Sequence, residues 1–149
     1  MRRILITLLL CLSPALFAAD AVTGKVIKVL PFLLDTKDRI AKSPSLFDRD
    51  AYQSYLHKHT NEVSGIRYDV QCSADAKLKL RLELRGVGER SVPKMKTLEA
   101  EVAAGSAFNN WTEIKLVGDD YFKFGAIVAW RATLWNGDQQ VSEQKSFLW

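Results

Sequence analysis

Histidine and cysteine are scarce in this 149-residue chain, with two of each, and much familiar chemistry is excluded with them. His57 and His59 stand two apart in a segment that reads as helix, which turns them about 200° from one another and prevents both from gripping one metal. Only an extended backbone would put the pair on one face, where zinc or copper could bind. A hydrolase triad would have to draw its base from the same two residues, and no serine lies in a Gly-x-Ser-x-Gly elbow. Gly86-Val87-Gly88 lacks the third glycine of a phosphate cradle and reads as a turn. The paired carboxylates Asp48/Asp50 and Asp119/Asp120 lack the calcium-loop pattern and read as a helix cap and a turn. The sequence therefore nominates no catalytic residue, no metal ligand and no cofactor.

Long apolar runs are also missing. The longest, residues 4–12, is too short to cross a bilayer, which takes about 20 residues, so no transmembrane segment is expected in the mature chain. Its setting is informative. Arg2 and Arg3 precede it, Pro14 closes it, and the small residues Ala18, Ala19 and Ala21 follow, the order of a secretory signal peptide. Ala19-Asp20-Ala21 places the expected cut after Ala21, giving a signal peptide over 1–21, one domain over 22–149, and a secreted or periplasmic destination in a bacterial cell envelope. Cys11 lies inside the apolar run behind Leu10, where a lipoprotein site would need a small residue. Its removal leaves Cys72 unable to form an intramolecular disulfide. Cys72 is in phase with Ile66, Tyr68 and Val70, and so reads as a small buried hydrophobe.

What is present is alternation. Residues 22–34 read as a first strand that Pro31 confines to an edge or a bulge. Polar residues 35–45 form a crossover loop. A helix over about 49–59 is predicted, with Asp48 as its N-cap, Phe47 and Tyr52 as a hydrophobic staple around it, and Tyr52, Tyr55 and Leu56 facing inward. Then the period becomes two. Ile66, Tyr68, Val70 and Cys72 share one face, and Leu78, Leu80, Leu82 and Leu84 repeat the pattern, so these two strands are expected to pair antiparallel. Further strands are expected over 95–102, 111–117, 127–135 and 140–149, with a turn and short helical piece after Gly118 and a hairpin at Asn136-Gly137. Strands do not alternate with helices, which excludes a parallel sheet. The expected fold is all-β, mainly antiparallel: an immunoglobulin-like sandwich of six to seven strands with one short helix after the first, or alternatively a small β-barrel.

Two concentrations of residues remain. Residues 77–96 hold seven cations, Lys79, Arg81 and Arg85 among them, against two carboxylates. All four tryptophans fall in the last 39 residues. Trp130 alternates with Val128, Ala132 and Leu134 and reads as core, whereas Trp135 points to the other face and Trp149 ends the chain. Trp135, Trp149, Lys79, Arg81 and Arg85 are accordingly the candidate ligand-binding residues, suited to a protein partner or an anionic surface polymer. Nucleic acid is not expected as a partner of an exported protein. Core packing and a solvated sheet face are the bland readings of the same residues. An outer-membrane barrel strand ending at Trp149 would place Lys145 and Glu143 in lipid, which counts against it. The sequence favours a non-catalytic exported binding module. The alternatives are a small enzyme acting on carbohydrate through carboxylates that only the fold brings together, and a subunit of a larger envelope assembly.

Overall fold

The computed structural model describes residues 21–105 and 110–149, so the expected signal peptide lies almost wholly outside the described residues. Seven antiparallel strands are found among them: β1 (Gly24–Asp35), β2 (Val63–Ala74), β3 (Leu78–Val87), β4 (Pro93–Val102), β5 (Trp111–Val117), β6 (Ala126–Asn136) and β7 (Gln139–Lys145). They form two sheets, ordered β1-β2-β5 and β4-β3-β6-β7, which is the immunoglobulin-like sandwich in its variant with an extra strand beside the third. The sheets do not close into a barrel.

Each central strand contributes one fully buried face. Val70 and Cys72 of β2 meet Leu80, Leu82 and Leu84 of β3 and Ala132 and Leu134 of β6 in a single core, all at 0% exposure. Each leucine buried in this way stabilises the fold by about 1.5–3 kcal/mol. Val26, Val29, Ile66, Tyr68, Ile114, Leu116 and Phe124 complete it, and Trp130 packs against it half-buried. Pro31 lies on β1, an edge strand with a register shift between Val26 and Lys28, where a missing amide proton costs least.

The expected hairpin between β2 and β3 does not form. β2 pairs with β1 and β5, while β3 pairs with β4 and β6, and the short link through Asp75 carries the chain from one sheet to the other. Two strands with one apolar face each can lie side by side or face to face, and alternation alone does not distinguish the cases. A tie accompanies the crossing. The Asp75 carboxylate accepts the Thr23 amide N–H (3.0 and 2.9 Å) and hydroxyl (2.8 Å), bending the link back over the start of β1.

Helix α1 spans Leu46–Lys58, with Ser45 as its N-cap accepting the Asp48 amide at 3.4 Å. The expected aspartate cap is thus a first-turn residue, its charge placed where the helix dipole favours it, and Phe47 is 82% exposed instead of stapled. The inward face is as expected: Tyr52 and Leu56 are buried with Val63, and Tyr55 packs beside them. The turn after Gly118 is a full helix, α2 (Gly118–Phe124), bridging the two sheets between β5 and β6. The last hairpin turns through Gly137 and Asp138, with Asn136 opposite Gln139 and a positive φ of 57° at Gly137. Strand β7 ends at Lys145, short of the expected Trp149. Ser146 still pairs with Trp130, its amide donating to the Trp130 carbonyl (2.9 Å) and its hydroxyl oxygen accepting the Trp130 amide N–H (3.0 Å), and the chain then turns.

Candidate functional site

The alternation that buries Leu80, Leu82 and Leu84 sends Lys79, Arg81, Glu83 and Arg85 to the outer face of the four-stranded sheet. On β6 the same face receives Ala129, Arg131, Thr133 and Trp135, which the register sets beside Arg85, Glu83, Arg81 and Lys79 in turn. The turn after Ser146 brings Trp149 back over this face. All five residues singled out by sequence therefore share one surface, and Arg131 joins them.

The cations are stacked on the indoles. The Arg81 guanidinium lies 4.8 Å from the Trp135 ring centre, and those of Arg85 and Arg131 lie 4.0 and 4.9 Å from the Trp149 ring centre. Such contacts contribute about 0.5–1 kcal/mol each at exposed sites. Polar bonds fix the rings further. The Trp135 Nε1–H donates to Thr133 Oγ1 at 2.8 Å, and the Thr133 hydroxyl donates to the Arg81 carbonyl at 3.4 Å. Thr133 and Ala129 are 1% and 2% exposed although they point outward, so the indoles and their arginines form a lid over the middle of the sheet. Trp135 and Trp149 are in consequence half-buried.

Carboxylates interleave with the cations. Arg81 and Lys79 both meet Glu99, at 3.0 and 3.3 Å, Lys77 meets Glu101 at 2.7 Å, and Arg131 meets Glu83 at 2.7 Å and Glu143 at 3.7 Å. The bonds from Arg81 and Lys79 hold the Glu99 carboxyl below its ordinary range, and the bond to Glu83 raises the Arg131 guanidinium further. Among the described residues Arg85 has no carboxylate partner. The start of the basic strip read from sequence, Lys77, Lys79 and Arg81, is thus compensated in space by Glu99 and Glu101 of β4, which sit opposite β3 by register. At the hairpin end, Lys77, Lys79, Glu101, Trp135, Gly137 and Asp138 line a shallow open depression.

The remaining chemistry-bearing residues are placed otherwise. Cys72 is fully buried and its thiol is pushed up to about 11 by burial, which suppresses the nucleophilic thiolate. His59 stacks on Tyr55 with ring centres 3.9 Å apart and holds the Tyr55 carbonyl with Nδ1 at 2.9 Å, while His57 is exposed. Sequence reasoning missed Asp35. It is 3% exposed, and its carboxylate accepts the amides of Lys37 and Arg39, the Arg39 Nε–H at 2.9 Å and the Tyr52 hydroxyl at 2.8 Å. Burial alone would raise this carboxyl, but the bonds from Arg39, Tyr52 and Lys37 prevail and hold it far below the usual range. A carboxylate so fully bonded pins the helix to the end of β1 and has no proton to exchange near neutrality. Lys37 and Arg39 are local partners, but Tyr52, the one that ties the helix to the strand, is 17 residues away along the chain.

No family model, curated protein or solved structure matches this chain.

Proposed function

We propose that this chain is an exported, non-catalytic recognition module that holds a protein partner on the outer face of the β4-β3-β6-β7 sheet. The observation that carries the reading is the pair of guanidinium–indole stacks, Arg81 on Trp135 and Arg85 with Arg131 about Trp149. Tryptophan and arginine are the residues most enriched where a few side chains supply most of a binding energy. Here they are held in place before any partner arrives, which lowers the entropy cost of association. The interleaved Glu83, Glu99, Glu101 and Glu143 favour a partner of mixed charge over a purely anionic polymer, because a polyanion would meet those carboxylates as well as Arg85. The signal-like order of residues 1–21 supports export.

The test is chemical crosslinking in the native host, followed by capture of the chain and identification of what is joined to it, with wild type compared to Trp135→Ala and Arg85→Glu. Expected is one dominant partner whose yield falls about tenfold or more in each variant, the range of a binding hot spot. An unchanged partner and yield in both variants would exclude this face.

A further inference from the structure

The strands run so that β1, β3, β5 and β7 end, and β2, β4 and β6 begin, at one pole of the sandwich. Apolar side chains stand out there from separate segments: Val92 and Met95 at the start of β4, Phe122 on α2, Val128 at the start of β6, and Phe147 and Leu148 beyond β7. Phe147 is fully exposed, and Leu148, Met95 and Phe122 are 69%, 64% and 62% exposed. Val128 is displaced to the outside by the register shift beside Gly86. Scattered single apolar residues need no explanation on a protein surface, but a concentration on one pole does.

The depressions among these side chains are basic. One is lined by Val92, Lys94, Phe122, Lys123 and Gly125, and its neighbour by Lys94, Met95, Lys96, Asp120, Lys123 and Phe124. Lys96 is paired with Asp120 at 2.5 Å and Lys123 with Asp119 at 3.3 Å. Lys94 donates instead to the backbone carbonyl of Lys123. Among the described residues neither Lys94 nor Arg85, which sits opposite Met95 in the register, has a carboxylate partner, so the positive charge of the pole is not cancelled.

We infer that this pole docks on a lipid bilayer bearing anionic headgroups. Phe147, Leu148 and Phe122 enter the headgroup and upper acyl region, while Lys94 and its neighbours meet headgroup phosphates from the dips between them. Neither element suffices alone, since lasting attachment of a peripheral protein to a bilayer takes an apolar and an electrostatic contribution together. A bilayer suits the shape better than a protein helix does, because the apolar side chains project from separate turns and can sink together into a soft layer. The inference shares Arg85 with the face proposed above, but its test varies Phe147, Leu148 and Lys94, none of which makes an indole stack, so the two readings fail separately.

The test is co-sedimentation of the full chain with vesicles of phosphatidylcholine alone and of phosphatidylcholine mixed with phosphatidylglycerol. Wild type is compared with the double variant Phe147→Ser/Leu148→Ser and with Lys94→Glu. The apolar run at residues 4–12 is common to all three, so differences among them report on the pole. Phe147 and Leu148 lie beyond the last strand and outside the core, and circular dichroism verifies that both variants keep the fold. Expected is binding about tenfold stronger to the anionic vesicles, lost about tenfold in the double variant and several-fold in Lys94→Glu. Equal binding to both vesicle types overturns the inference, as does wild-type behaviour in either variant. So does failure to bind vesicles while polyglutamate is retained by the same residues, which would assign the pole to an acidic protein.

Discussion

The side-chain amide of Gln53 does for Leu33 what a neighbouring strand would do. Its Oε1 accepts the Leu33 amide at 2.7 Å and its Nε2 donates to the Leu33 carbonyl at 3.0 Å, with a further bond to the Ile40 carbonyl at 2.8 Å. Thirty-odd Å of exposed strand edge is a template for another chain, and β1 is an edge. Helix α1 closes its far end with this amide, while Ser142 of β7 accepts the Val26 amide near its start at 3.0 Å. Gln53→Ala should therefore lower stability by roughly 1–3 kcal/mol through the unpaired groups it leaves. It should also promote self-association. Urea denaturation and size-exclusion chromatography at rising concentration read the two effects, and an unchanged elution profile would show that Ser142 alone guards the edge.

Asp35 gives the fold a defined response to acid. Its folded carboxyl titrates below its unfolded value, so the stability it contributes is complete above about pH 4 and is lost as pH falls through the folded value. Asp35→Asn should unfold at lower urea than wild type at pH 7, and the gap should narrow as both are taken towards about pH 2. Tyr52→Phe, which removes one of the bonds, should fall between them. A gap that does not change with pH would mean that the carboxylate's charge contributes nothing.

Cys72 should be silent to thiol reagents in the native protein. With its thiol raised to about 11 and no exposed surface, labelling should follow the opening of the β1-β2-β5 sheet and accelerate in denaturant. Mass spectrometry of the peptide containing Cys72 measures this directly. Rapid labelling without denaturant would contradict the burial described for it.

Gly65 of β2 lies close against the end of β5. A Cβ there would stand 2.6 Å from the Leu116 carbonyl oxygen and 2.9 Å from the Val117 Cα, and backbone cannot move aside as a flexible side chain can. Gly65→Ala should cost about 1–3 kcal/mol, measured as a shifted urea midpoint. A shift below a few tenths would place β5 further out than the register indicates.

Much of this architecture was legible because single strands announce themselves. Leu78 through Arg85 could be assigned inward and outward residue by residue, and so could Ile114 and Leu116. Partnerships were less visible, because alternation does not say whether β2 and β3 lie side by side or face to face, and the Asp75–Thr23 contact at the crossing joins residues 52 apart along the chain. The candidate face was half legible. Lys79, Arg81, Arg85 and Trp135 follow from period two, but the neutralising Glu99 and Glu101 belong to a different strand, and the return of Trp149 depends on β7 stopping at Lys145. Asp35 gave no sign at all, since a polar residue at the end of a strand ordinarily means solvent.

The latch between Thr23 and Asp75 also gives the molecule a direction. It fastens the first described residues at the end of the sandwich opposite Phe147 and Leu148, and the span of β1, at about 3.3 Å per residue, keeps the two ends roughly 35 Å apart. A body adhesive only at the pole of Phe147 and Leu148 would stand upright on the layer it touches, turning its arginine–tryptophan flank sideways, where a neighbour in the same layer could meet it.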